Sequence, residues 1–307
     1  MKQRMDNKIK FAPPFPTSHI HQSAIRQIEE MNLWERRLFL AKEPQKSSYP
    51  HFLYKFKSLR SGKDDARIKQ LRDILVESRL WLSSPRKFND PFDMTARVIF
   101  EGTTQEIRDR FKTLIANISG KGWKERRALL EQMMSKPRDE WKKSIEQIHS
   151  KHHEQVGVFS FASDPRSIIM WSHYGDQHSG ICLQFQIARD PGVFLNALRV
   201  EYAQAYPIFN WAKESAAQLD GSLLRKYKEW EYEGERRIVL AGGAEAYVPF
   251  NPSALTGIIF GCQPSIELAR IVREILIERG SKGYSDLKIY RAERHESRYK
   301  LVLRREK

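Results

Sequence analysis

Residues 230–240 read Trp-Glu-Tyr-Glu-Gly-Glu-Arg-Arg-Ile-Val-Leu, so three carboxylates occupy alternate positions ahead of an apolar run. Successive side chains of an extended backbone point to opposite faces, and Glu231, Glu233 and Glu235 would therefore share one side of a strand. Like charges on one face repel each other unless cations or a ligand share the site. The pattern is typical of either a solvated strand entrance, with local pairing to the two arginines that follow, or an active site that carries carboxylates.

The composition is that of a soluble globular protein, with 40% hydrophobic and 30% charged residues in a chain of 307. No apolar run approaches the ~20 residues that a membrane-spanning helix needs. The first residues carry charges but no hydrophobic stretch of the kind found in secretory signals. Cys182 and Cys262 are the only cysteines, which provide neither a disulfide framework nor a metal-binding spacing. We therefore expect a cytoplasmic protein that has no membrane segment and no metal site of this type.

Lysine and arginine exceed the acidic residues by 53 to 38, which gives a net charge of +15. Such a field concentrates polyanions near the protein and speeds their encounter with it. The charge thus predicts nucleic acid or another polyanion as a partner. Because the excess is spread along the chain, it is equally typical of a surface that only favours solubility. The oligomeric state is left open by the sequence.

Hydrophobic periodicity predicts a mixed α+β fold in which a small, mainly antiparallel sheet dominates. Residues 1–48 form a proline-containing arm with an amphipathic helix, and residues 49–307 form one domain with a helical insertion at about 104–155. Strands are expected at 51–56, 80–82, 156–161, 181–187, 238–240, 257–260, 287–290 and 299–303. Further helices are expected at 64–78, 164–174, 212–228 and 265–280.

Four segments combine polar and aromatic residues in unusual density. They are Tyr54-Lys55-Phe56, then Leu82-Ser83-Ser84-Pro85 with Phe88-Asn89-Asp90-Pro91-Phe92, then Met170-Trp171-Ser172-His173-Tyr174-Gly175 with His178-Ser179-Gly180, and finally the acidic stretch. Taken singly, each has a structural explanation: the second is typical of a turn, and His173 of a satisfied interior histidine.

Together with Ser160-Phe161, these segments resemble the bacterial proteins grouped as domain of unknown function 2971. The resemblance covers residues 51–240, with a weaker tail to 305, and leaves 1–48 and much of 104–150 outside. The family name implies no activity.

The order of the segments is also similar, more distantly, to the layout of ADP-ribosyltransferases. That resemblance implies an enzyme that splits NAD, of toxin or anti-phage defence type, with nucleic acid or protein as the acceptor. A carboxylate near the ribose would stabilise the positive charge of the transition state. The residues implied as catalytic are Glu235, Glu233, Tyr174 and His173. Those implied as NAD contacts are Tyr54, Lys55, Ser160, Ser84, Asn89 and Arg237. The chain departs from such transferases at Lys55, where they usually carry His or Arg.

Two alternatives remain open. A metal-dependent nuclease would hold Mg²⁺ with carboxylates while a lysine assists; the residues concerned are Asp90, Asp93, Glu233, Glu235 and Lys55. It ranks lower because the chain has no compact Asp…Glu-x-Lys run. A non-catalytic nucleic-acid-binding module would need only the basic surface and exposed aromatic rings such as Trp81 and Phe88.

Overall fold

The computed structural model describes residues 25–42, 49–59, 65–213 and 220–306. Within these ranges the chain is a mixed α+β protein with a mainly antiparallel sheet, which confirms the predicted fold class. Predictions for residues 1–24 and 43–48 of the N-terminal arm lie outside the described residues, and so does the middle of the helix predicted at 212–228.

The strands are short, and many are two or three residues long. In chain order they are β1 (Phe52–Lys57), β2 (Arg79–Trp81), β3 (Arg97–Ile99), β4 (Gly157–Phe161), β5 (Ile181–Gln186), β6 (Leu198–Arg199), β7 (Glu201–Ala203), β8 (Ile208–Asn210), β9 (Arg225–Tyr227), β10 (Arg236–Leu240), β11 (Tyr247–Pro249), β12 (Leu255–Phe260), β13 (Lys288–Arg294) and β14 (Leu301–Arg305). The α-helices with defined bounds are α1 (Leu33–Lys42), α2 (Asp65–Leu75), α3 (Thr104–Ala116), α4 (Trp123–Met134), α5 (Arg138–Gln155), α6 (Ile168–Tyr174), α7 (Pro191–Phe194) and α8 (Ile266–Ser281).

The largest sheet has five strands in the order β1-β5-β12-β13-β14, and every neighbouring pair except β12-β13 is antiparallel. Parallel strands need a crossover, and α8 supplies it between β12 and β13. Ser265 caps α8 by accepting the Leu268 amide at 3.0 Å. One face of the sheet packs against α2 and α8, where Leu71 and Val272 meet Leu183 in the main core.

A second sheet has the order β4-β10-β6 and is antiparallel throughout. Among the described residues, one backbone bridge joins it to the first sheet, between Tyr54 and Ala162, with N–H···O distances of 3.0 and 2.8 Å. One residue further along β1, the Lys55 side chain donates to the Ser160 carbonyl oxygen at 2.8 Å. A cleft lies between the two sheets next to this bridge, and residues of β1 and β4 line it.

Helices α3, α4 and α5 fill the region of the predicted insertion. Thr103 begins α3 with a capping box, in which its side chain accepts the Glu106 amide and the Glu106 carboxylate accepts the Thr103 amide. Phe111 and Trp141 lie in a hydrophobic cluster separate from the main core, together with Trp211 of the loop after β8. The insertion thus has its own small core.

The described part of the N-terminal extension packs onto the main core. Ile25, Ile28 and Leu40 are buried in the same cluster as the five-stranded sheet. Arg36 also donates to the carbonyl oxygen of Ala188 at 3.3 Å. This contact makes 25–42 a covering layer of the domain.

The helix predicted at 212–228 is wrong in its C-terminal part. Asp220–Leu224 is a 3₁₀ turn and is followed directly by β9. In β9 Lys226 is buried while both of its neighbours are exposed, which is the alternation of a strand and not of a helix. The lysines and leucines of this region fit both the helical and the strand periodicity. The sequence pattern alone therefore did not distinguish a helix from a strand.

Candidate active site in the cleft between the sheets

The cleft between the two sheets has a volume of about 460 Å³, within the range of small-ligand pockets. Eight of the ten residues proposed from the sequence line it. They are Tyr54, Lys55, Asn89, Ser160, His173, Tyr174, Glu233 and Glu235. Side chains separated by up to 181 positions in the sequence thus meet in one cavity.

Two of the proposed contact residues do not line the cleft. Ser84 is buried and its hydroxyl donates to the Glu154 carbonyl oxygen at 2.9 Å, while the neighbouring Ser83 faces the cleft. Arg237 is completely buried behind the cleft wall. Neither side chain is placed for direct contact with a ligand, because protein atoms already surround their polar ends.

The acidic stretch does not enter its strand in an extended form. Lys228–Glu233 is a 3₁₀ turn that ends at Gly234, whose φ of 51° lies in the left-handed region that favours glycine. The prediction that three glutamates share one strand face is therefore wrong. Glu231 is exposed, whereas Glu233 and Glu235 are only 5% and 4% exposed and point into the cleft wall.

Two buried cations neutralise these carboxylates. Lys226 Nζ lies 2.5 Å from Glu233 Oε2 and 3.1 Å from Glu235 Oε2. Arg237 holds both oxygens of Glu235, with Nε–Oε1 and Nη2–Oε2 distances of 2.7 and 2.8 Å. Arg236 does not take part; it lies on the other face of β10, where Nη1 donates to the Ala197 carbonyl oxygen.

Asp93 completes the cluster. Its Oδ2 accepts from Arg237 at 2.6 Å and lies 3.6 Å from Lys226 Nζ. Its Oδ1 is buried and has no hydrogen-bond partner among the described residues. Three carboxylates therefore face two cations, and the cluster carries one formal negative charge in a place that water hardly reaches. We refer to Asp93, Lys226, Glu233, Glu235 and Arg237 as the cleft cluster.

The pKa values of the two glutamates move in opposite directions. Burial opposes ionisation of Glu235, but the charge and hydrogen bonds of Arg237 outweigh it and lower the pKa to about 2. Burial is also the largest influence on Glu233, and there it prevails: the pKa is raised, despite Lys226 and with a contribution from the charge of Glu235. Paired carboxylates with separated pKa values are typical of acid–base sites.

Tyr174 connects the cluster to the open part of the cleft. Its hydroxyl donates to Glu233 Oε1 at 2.7 Å and accepts from Asn89 Nδ2 at 3.4 Å. Burial and the charge of Glu233 raise the pKa of Tyr174, so the phenol keeps its proton. His173 is exposed at the rim, with Nδ1 3.1 Å from the Tyr232 hydroxyl.

Helix α6, which carries Tyr174, ends in an unusual left-handed turn. Asp176, Gln177 and His178 all have φ between 53° and 69°, a conformation that costs about 1–2 kcal/mol per residue for side chains other than glycine. The turn is held by the bond from the His178 amide to the Trp171 carbonyl oxygen at 3.2 Å. Backbone strain of this kind clusters at functional sites.

Two lysines of β1, Lys55 and Lys57, lie on the opposite wall of the cleft. Burial lowers the pKa of Lys55 to about 8, although the charges of Glu235 and Glu233 oppose this change. Burial also lowers the pKa of Lys57 to about 7, and the charge of Lys55 adds to the effect. Both ammonium groups would gain from an anion in the cleft. Ser160, opposite them, donates its hydroxyl to Glu235 and lowers the pKa of that carboxyl further.

The carboxylates do not fit the Mg²⁺ site of the nuclease alternative. Lys226 Nζ stands among the three of them, and Arg237 already holds both oxygens of Glu235. Asp90 turns away and accepts the amide of Phe92. Nowhere in the described ranges do three His, Cys, Asp or Glu residues form a group that could hold a metal.

Lys226 and Lys57 were not expected from the sequence. The surplus of acids in the stretch pointed to a missing cation, but only the fold shows that Lys226 supplies it.

Trp81 and Phe88, expected as exposed stacking rings, both line the cleft and are partly buried. Trp81 packs edge-on against Tyr247 with centroids 4.8 Å apart.

No protein-family model, curated protein or solved structure matches this chain. Among the described residues, no helix is both long and apolar enough to cross a membrane.

Proposed function

We propose that the protein is a cytoplasmic, NAD-dependent ADP-ribosyltransferase-like enzyme of the domain of unknown function 2971 family, acting as a toxin or anti-phage defence effector. The observation that carries the proposal is the meeting of Glu233 and Glu235 with Tyr174, Tyr54 and Lys55 in one cleft. Carboxylates, aromatic rings and cations are the three kinds of group that binding and cleavage of a dinucleotide require.

Cleavage of an N-glycosidic bond passes through an oxocarbenium-like transition state, which an adjacent negative charge stabilises. The cleft cluster supplies this charge, because three carboxylates face two cations there. Low exposure strengthens the effect, since water screens it little. A developing positive charge on the ribose would therefore be attracted to this wall.

The two glutamates differ in what they can do. Glu235 is occupied by Arg237, Lys226 and Ser160, so we assign it the role of a fixed negative charge. Glu233 has a raised pKa and reaches the open cleft through Tyr174, which suits a group that accepts and returns a proton.

The remaining lining suits the nucleotide. The rings of Tyr54 and Tyr174 offer an aromatic wall for a heterocyclic base. Lys55 and Lys57 would bind phosphate oxygens. Because the pKa values of these lysines are about 8 and 7, binding of a diphosphate should raise them and take up protons near neutral pH.

In the reaction the bond between ribose C1 and the nicotinamide nitrogen breaks, and its electron pair leaves with nicotinamide. The acceptor nucleophile, in nucleic acid or protein, forms the new bond to C1. Glu233 takes the proton that the nucleophile loses. When water is the acceptor, the same steps hydrolyse NAD.

The test is to incubate the protein with NAD and to measure nicotinamide release. Glu233→Gln and Glu235→Gln should each lower the rate by about 100-fold or more. Glu231→Gln is the matched control, because it changes an exposed glutamate of the same stretch, and its rate should equal that of the wild type. Absence of release from the folded wild type, or equal rates in all three variants, would contradict the proposal.

A further inference from the structure

A second cavity of about 480 Å³ lies next to the cleft cluster. Aromatic rings from three separate segments line it, and they are Phe92, Tyr206, Tyr227 and Trp230. Lys226 lines both this cavity and the cleft. The two cavities therefore share a side chain that is bonded to Glu233.

These rings are unusually open to solvent. Phe92 is 64% exposed, Tyr206 45% and Tyr227 47%. Trp230 forms the inner wall, where Lys226 Nζ stands 5.0 Å from its ring centroid. Open aromatic faces in a cavity of this size suit a flat ring that can stack between them.

Charged groups of both signs surround the cavity: Asp90 lines it as well as Arg225 and Lys226, and further cations lie at its rim. Arg225 lines it, although Arg225 also pairs with Glu201 at 3.2 Å. Lys228 follows the lining Tyr227 and is exposed, and the exposed Arg97 hydrogen-bonds through its backbone amide to the lining Pro207. The net charge of +15 on the whole chain adds a general attraction for a phosphodiester backbone, which the rim cations Arg97 and Lys228 could contact.

We infer that the second cavity binds an unpaired base of single-stranded nucleic acid by stacking, with the backbone held by the cations around it. In combination with the proposed function, on which this part rests, the bound base belongs to the acceptor strand. Lys226 would then place the acceptor beside Glu233, the group assigned to take its proton.

Binding is measured without NAD, by fluorescence anisotropy of a labelled single-stranded oligonucleotide. Tyr206→Ala and Tyr227→Ala should each weaken binding roughly 5- to 150-fold, the range for loss of one stacked base. Tyr299→Ala is the matched control, because this tyrosine is fully exposed beside basic residues and lies outside the cavity. Its dissociation constant should stay within about twofold of wild type. An oligonucleotide with abasic positions should also bind weakly to the wild-type protein. Its affinity should be about that of the unmodified oligonucleotide for Tyr206→Ala.

The inference is overturned if no oligonucleotide binds, if Tyr206→Ala and Tyr227→Ala bind like the wild type, or if Tyr299→Ala loses as much affinity as they do. Equal affinity for the abasic oligonucleotide would also overturn it, because the cations alone would then explain binding. The outcome is independent of catalysis. Loss of binding in the two variants without any nicotinamide release would support the cavity and refute the enzyme.

Discussion

Two buried carboxylate clusters in the described part of the chain are similar in composition but differ in the ratio of acids to cations. In the first, Asp73 accepts from Arg79, Lys69 and the Tyr247 hydroxyl, and the side chains of both cations remain exposed, at 37% and 65%. In the cleft cluster a tyrosine, a lysine and an arginine again surround carboxylates, but both cations are at most 5% exposed and the acids outnumber them.

This difference is the one expected between a cluster that only stabilises the fold and the functional cluster that we propose. Although burial opposes ionisation of Asp73, its hydrogen bonds from Arg79, Tyr247 and Lys69 lower the pKa, so this carboxylate is simply satisfied. The cleft cluster instead contains a glutamate with a raised pKa, an excess negative charge, and an Asp93 oxygen with no hydrogen-bond partner among the described residues. An excess of buried acids over buried cations lowers the free energy of unfolding. Proteins retain such a cost mainly at functional sites.

The largest expected effect comes from removing the buried cation of the cleft cluster. Arg237→Met leaves Glu235 and Asp93 without their main partner, and loss of one member of a buried ion pair costs about 3–5 kcal/mol. Urea unfolding at neutral pH measures this free energy. Arg270→Met, which removes an exposed arginine paired along α8, should scarcely change it. A similar small change in Arg237→Met would show that the cluster is not buried as described.

The next effect is a pH dependence that belongs to Glu235. Its folded-state pKa of about 2 lies below the ordinary 4.5, so its contribution is present above pH 4.5 and is lost as the pH falls towards 2. Between pH 5 and 3 the wild type should lose about 2 kcal/mol more unfolding free energy than Glu235→Gln. Glu233 has a raised pKa, so its contribution is present below pH 4.5 and is lost as the pH rises through the folded-state pKa. Glu233→Gln should thus leave the acid loss intact, and parallel curves for wild type and Glu235→Gln would contradict the assignment.

A smaller effect comes from a matched pair of tyrosines. Tyr174→Phe and Tyr247→Phe each remove one hydroxyl bonded to a buried carboxylate, with distances of 2.7 and 2.9 Å, and each should cost about 1 kcal/mol of unfolding free energy. Nicotinamide release should separate them. Tyr174→Phe should slow it about 10-fold because Glu233 loses its link to the cleft, while Tyr247→Phe should not. Equal rates of nicotinamide release in the two variants would contradict the proposal that only the cleft cluster takes part in the reaction.

Much of the fold was predictable from periodicity. The long apolar strands β5 and β12 and the capped helix α8 lie close to their predicted positions, and the insertion predicted at about 104–155 is helical. The error at 212–228 arose because Lys226 is buried by charge pairing, which hydrophobic periodicity cannot register. The prediction that three glutamates share one strand face failed at Gly234. The left-handed conformation of this glycine directs Glu235 towards the cleft cluster.

Most of the residues that line the cleft were predictable from the sequence, but the balance of acidic and basic groups was not. The polar and aromatic segments identified the cleft lining, since such residues have few structural reasons to recur together. The prediction that Ser84 and Arg237 face the cleft was wrong. Tertiary contacts decide whether a serine in a loop or an arginine in a strand points towards the cleft or away from it. Lys226 could not be assigned because its partners are three carboxylates from two other segments.

The most direct test of the account compares nicotinamide release from NAD by Glu233→Gln and Asp73→Asn under identical conditions. Each substitution neutralises one buried carboxylate that is hydrogen-bonded to a tyrosine hydroxyl and paired with a lysine. We expect the rate of Glu233→Gln to fall about 100-fold or more, while folded Asp73→Asn keeps the wild-type rate. Equal rates in the two variants, whether both high or both low, would contradict the claim that the cleft cluster is the functional one.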